Sequence, residues 1–90
     1  MTTEKRIGIG TIQRMFIKHA FGPLPEKSLI VAIICQAIQD CSSIDKNEQI
    51  SARAFLLGRD LEAWSTLVDL DADFVRSVAI KTRYLRVRAT

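Results

Sequence analysis

The chain has little of what metal or covalent chemistry needs: one histidine, His19, and two cysteines, Cys35 and Cys41. Two thiols and a distant imidazole cannot close a tetrahedral zinc site. Carried on one helix, the two cysteines point in different directions, which argues against a disulfide between them. Cys35 is expected in the core as a reduced thiol, since free cysteine behaves as a small hydrophobe. Asp69, Asp71 and Asp73 alternate as in a calcium loop, but the glycine and the distant glutamate of such a loop are missing. Gly8-Ile9-Gly10 lacks the third glycine of a dinucleotide fingerprint. No nucleophile–base or carboxylate pair stands out. The expectation is a non-enzyme that uses no metal and no cofactor.

Long apolar runs are also lacking. The most apolar stretch, LIVAIICQAI from Leu29 to Ile38, is about half as long as a membrane-spanning helix. The N-terminal residues hold no apolar segment leading to a signal-peptide cleavage site. A cytoplasmic protein without membrane contact is expected. Acids are scarce at the ends: of ten, nine lie between Glu26 and Asp73, and only Glu4 lies outside. Lys5, Arg6, Arg14 and Lys18 lie near one end, and Lys81, Arg83, Arg86 and Arg88 at the other, within a net charge of +3. Basic ends around a mixed middle permit contact with phosphates without demanding it.

What is present is an ordinary globular composition. Ninety residues, 48% hydrophobic and 26% charged, suit one domain spanning residues 1–90, with residues 1–8 and 86–90 expected to fray. A core of this size is modest, so a homodimer or a protein partner fits. Helical spacing dominates the text. Gly8 and Gly10 argue against helix around Ile9. From Thr11, the residues Ile12, Met15, Phe16 and His19 share a helical face. Gly22 and Pro23 end that helix, and Pro25-Glu26 reads as a new start. The segment from about Pro25 to Cys41 is apolar nearly all round, as a helix surrounded by others would be, and is taken as the central pillar. After a polar loop, a helix from Glu48 to Leu57 stacks Ile50, Ala54 and Leu57 on one side, with Phe55 nearby. Gly58 can stop it in a left-handed conformation. Asp60 can cap a fourth helix through Val68, and Asp71 a fifth. The fold class is therefore all-α, a bundle of four to five short helices with Trp64, Phe55 and Phe74 contributing to the core.

Leu61 to Ile80 (LEAWSTLVDLDADFVRSVAI) carries the one pattern with functional content. A helix-turn-helix joins two short helices through a tight turn. It places apolar residues at its fourth, eighth, tenth, fifteenth and eighteenth positions, a small residue at the fifth, and a residue tolerant of positive φ at the ninth. Counted from Leu61, these are Trp64, Val68, Leu70, Val75 and Val78, then Ser65, then Asp69. In the DNA-reading mode the second helix enters the major groove by its N-terminal end. Asp71 and Asp73 would lead, where carboxylates repel phosphates; they serve equally well as helix-start acids on a helix packed to the core. Arg76, Ser77 and Lys81 follow. Beyond them KTRYLRVRAT sets Arg83, Arg86 and Arg88 among Tyr84, Leu85 and Val87, a pattern readable as helix or as strand. It forms either a phosphate-contacting arm or a solvated surface. Tyr84 can stack on a base or be partly buried.

The segment SARAFLLGRDLEAWSTLVDLDADFVRSVAIK, with its Ala/Arg-rich helix, "LLGRD" stop and "LDADFVR", resembles small helical proteins encoded by bacteriophages and prophages. "IICQAIQD" resembles the helix that precedes this segment in them. The likeness covers roughly residues 28–81 and departs at Asp69, where glycine is usual. It implies a regulator of phage genes that binds DNA or RNA polymerase. The leading expectation is a transcription regulator bound to double-stranded DNA through Arg76, Ser77, Lys81, Arg83, Arg86 and Arg88. The runner-up is a protein-interaction module, either an adaptor for RNA polymerase or a component of a viral particle.

Overall fold

The computed structural model describes residues 7–20 and 26–86. Five helices follow in order: α1 Ile9–His19, α2 Lys27–Asp40, α3 Lys46–Leu57, α4 Arg59–Leu67 and α5 Ala72–Lys81. There is no strand among the described residues. The domain is all-α, as the spacing of apolar residues implies.

Helix α1 begins at Ile9, earlier than its glycines suggest. Gly8 supplies the N-cap, and its carbonyl accepts from Thr11 and Ile12. Gly10 lies inside the helix; burial of Ile12 and Phe16 outweighs its low propensity. The expected stop at Gly22-Pro23 and the start at Pro25 lie outside the described residues. Ala20 closes α1 through its N–H on the Phe16 carbonyl, and Glu26 stands at the N-cap of α2.

Helix α2 is the pillar of the bundle and packs against α1, α3 and α4. Ile30, Val31, Ile34, Cys35 and Ile38 turn inward. It is not enclosed on every side, however: Leu29 is 61% exposed and Ile33 37%. Both cysteines are free thiols. Burial pushes the Cys35 thiol up to about 12. Burial, opposed by the nearby Arg53 and helped by Asp40, pushes Cys41 up to about 11. The thiolate is the reactive form, so both residues should be alkylated at pH 8 far more slowly than a free thiol. Cys35, at 2% exposure, should react only at the rate of global opening, and Cys41 sooner. Iodoacetamide labelling followed by mass mapping gives that order; equal and rapid labelling would contradict it.

Helix α3 departs from its expected face. Ala52 and Leu56 point inward, while Ile50 and Leu57 are largely exposed. Asp45 caps it by accepting from the N–H groups of Asn47 and Glu48. Its end is also different in kind. Gly58 is not left-handed (φ −101, ψ −167) but extended, and it serves at once as C-cap of α3 and N-cap of α4. Asp60, expected as that cap, lies in the first turn of α4 instead. Glycine is required here because a Cβ would sit 2.7 Å from the Ala54 carbonyl oxygen. Gly58→Ala should therefore force the backbone at the end of α3 to shift and cost about 1–3 kcal/mol, visible as a lower denaturation midpoint. An unchanged midpoint would mean that the junction yields freely.

Candidate nucleic-acid interface

The chain reverses between α4 and α5 over 68–71, and every element of the expected bend is in place. Asp69 sits at φ 57, the left-handed region that aspartate tolerates better than most residues. Its conformation lets the Leu70 N–H return to the Ser65 carbonyl at 2.8 Å. Ser65, the small residue of the pattern, is buried at 1% exposure. Val68, Leu70 and Val75 are buried, and Trp64 and Val78 are partly buried against the core. Asp71 caps α5 by accepting from the Asp73 N–H at 3.0 Å. Phe74 fixes the other flank of α5 by edge contacts with Phe16 and His19 of α1, at ring separations of 5.8 and 5.2 Å.

Arg76, expected near bases or phosphates, turns inward. Its Nε donates to the Leu56 carbonyl at 2.7 Å, and one terminal nitrogen donates to the Gly58 carbonyl at 2.9 Å and to Glu62 at 3.3 Å. The other donates to Asp73 at 3.0 Å. The planar guanidinium fork thus bridges the end of α3, the start of α4 and the first turn of α5. The carbonyls it takes are those left without intrahelical partners where α3 stops. Its side chain is 18% exposed. Ser77 is half-buried beside it.

The remaining cations gather after the bend. Lys81 is exposed in the last turn of α5. Neither helix nor strand follows. Thr82 caps α5, and Arg83 takes a left-handed conformation at φ 70. The N–H groups of Tyr84 and Leu85 then fold back onto the Ala79 carbonyl. This turn buries Tyr84 and Leu85 and leaves Arg83 and Arg86 exposed. The Tyr84 hydroxyl donates to the Ile7 carbonyl at 2.8 Å, so Tyr84 ties the two ends together and is not displayed for base stacking. Residue 7, expected to fray, is held by that bond. Residue 86 is likewise held, since an Arg53 terminal nitrogen donates to the Arg86 carbonyl. Arg88 lies outside the described residues. Arg53 itself joins the basic end from α3; nothing in the sequence links it to Arg86 across 33 positions.

Among the described residues no group of histidine, cysteine and carboxylate side chains could hold a metal ion, and no helix is long and apolar enough to cross a membrane. Comparison with protein-family models, with curated proteins and with solved structures finds no match for this chain, so no relative lends it a function.

Proposed function

We propose that this chain is a small DNA-binding protein, of the kind that regulates transcription, and that it grips double-stranded DNA through backbone phosphates. The observation that carries this reading is the grouping of Arg53, Arg83 and Arg86 beside the end of α5, with Lys81 two residues before Arg83. Asp71 and Asp73 occupy the leading turn of α5 and are exposed. Arg76 is engaged with carbonyl groups. Both features disfavour base reading by that turn, where arginine on guanine is the commonest specific contact. They favour contacts that position the protein without reading sequence. Arg88, at the end of the same basic run, belongs to the proposed set by charge alone.

Binding of mixed-sequence duplex across a salt series tests this. Each phosphate neutralised contributes about −0.9 to the slope of log K against log salt, so three or four cations give about −3. Affinity at low salt with that slope supports the reading, and no binding at low salt removes it.

A second reading is favoured by a specific feature. An open groove of about 480 Å³ between α2 and α3 is floored by Ile33, Ala37, Ala52 and Phe55. Such apolar surface suits a protein partner, RNA polymerase or a second copy included. Association detected by sedimentation, with no affinity for duplex, would favour this reading.

A further inference from the structure

The groove between α2 and α3 differs from one end to the other. A short loop, 41–45, joins the two helices, so the end of α2 and the start of α3 meet at one end of it. Asp40 and Glu48 stand there, and Ile33 and Phe55 stand at the other end; between them the small side chains of Ala37 and Ala52 leave the hollow. From Ile33 to Asp40, and from Phe55 back to Glu48, each wall runs about 10 Å, roughly two turns of helix. We infer that this groove is a docking site for an amphipathic helix of a partner protein, one that lays apolar side chains over Ile33, Ala37 and Phe55 and sets a lysine or arginine against Asp40 and Glu48. The inference rests on the protein-partner reading of the groove and is independent of contact with DNA.

Charge selects the occupant. No lysine or arginine lines the groove. Asp40 accepts from the Gln36 amide at 2.9 Å, and Glu48 from the Ser43 hydroxyl at 2.6 Å. Both donors are neutral, and among the described residues no cation pairs with either carboxylate. Arg53, next to Ala52 in sequence, is directed to the Arg86 carbonyl instead. Two negative charges at the end of an apolar floor are complementary to a cation carried beside apolar side chains. A second copy docked by the same face would bring four carboxylates and no cation into one interface, which disfavours it.

Backbone chemistry selects the conformation. The walls are helices, whose interior N–H and C=O groups are bonded within each helix, so they offer no edge to an extended peptide. An extended segment would lay unpaired amides over an apolar floor, at a desolvation cost. A helix arrives with its backbone groups satisfied and presents side chains at i and i+4 on one face, a spacing that fits a groove of this length. Leu29, one turn before Ile33 on the same face of α2 and 61% exposed, prolongs the apolar stripe beyond the mouth of the groove.

The probe is a synthetic alanine-based helix of about eighteen residues, with leucine at i and i+4 and lysine at i+7 and i+8, titrated into the isotope-labelled full chain. Backbone amide signals of Ile33, Ala37, Asp40, Glu48 and Phe55 should shift and saturate, with 81–86 unmoved. Asp40→Asn combined with Glu48→Gln keeps both hydrogen-bond acceptors and should weaken binding about tenfold, the scale of two exposed ion pairs. Ser51 is exposed and lines the groove, so Ser51→Arg fills it without touching the core and should abolish binding. Equal affinity for the lysine peptide and for one with glutamate in its place overturns the cationic occupant and leaves an apolar docking surface standing. A dimer of the chain alone, seen by sedimentation and lost in Ser51→Arg, overturns the foreign helix and makes a second copy the occupant. A monomer whose groove signals stay still with both peptides overturns this site and the protein-partner reading together, whatever the chain does with duplex DNA.

Discussion

Arg76→Ala should lower the thermal midpoint by roughly 10–25 °C, the largest effect expected of any single exposed or half-buried cation in the chain. The substitution removes the donors to the Leu56 and Gly58 carbonyls and the partner of Glu62. Hydrogen bonds from a charged donor contribute about 1.5–3 kcal/mol each, and a carbonyl left in a half-buried junction carries a desolvation cost. A net loss of about 2–4 kcal/mol follows, discounted for the exposed ion pairs to Glu62 and Asp73, which add little. Arg76→Lys should recover less than half, because an ammonium is a point donor and cannot span two carbonyls on different helices. Differential scanning calorimetry of the two variants decides the matter. A midpoint within a degree or two of the parent would return Arg76 to the set of side chains free to meet a ligand.

Joint reversal of Arg83 and Arg86 to glutamate should leave the fold intact and weaken duplex binding by about a thousandfold or more at low salt. Two favourable contacts are lost and two repulsive ones replace them. Both residues are exposed, so the helices should persist and circular dichroism should be unchanged. Binding measured by fluorescence anisotropy provides the readout. Retained affinity with a retained spectrum would sink the phosphate-contact reading, whereas a lost spectrum would show that these turn residues also support the fold.

Sequence periodicity carried the helices and the bend because those features are local. Val68, Leu70, Val75, Ser65 and Asp69 are each fixed by neighbours within one turn-and-helix unit, and each is placed as its residue type implies. Asp71 caps α5 for the same reason. What was illegible depends on contacts between distant segments. The choice between the Ile50/Leu57 face and the Ala52/Leu56 face of α3 turns on where α2 and α4 approach it, and both faces are apolar enough to be buried. Gly58 suggested a left-handed stop, but the structure uses its lack of a Cβ against Ala54. Arg76 gave one local hint, Asp73 three residues earlier; the carbonyls of Leu56 and Gly58 lie twenty and eighteen positions away. Arg53 gave none. Arg53 comes from α3 to line the same depression as Arg83 and Arg86, a neighbourhood that only the tertiary packing creates.

Backbone amide NMR of the full chain during titration with duplex DNA tests the central claim most directly. Contact through the basic end predicts shifts concentrated at 81–86 and around Arg53, with Ile33, Ala37 and Phe55 of the α2–α3 groove unmoved. Shifts confined to that groove, or none at low salt, would contradict the claim.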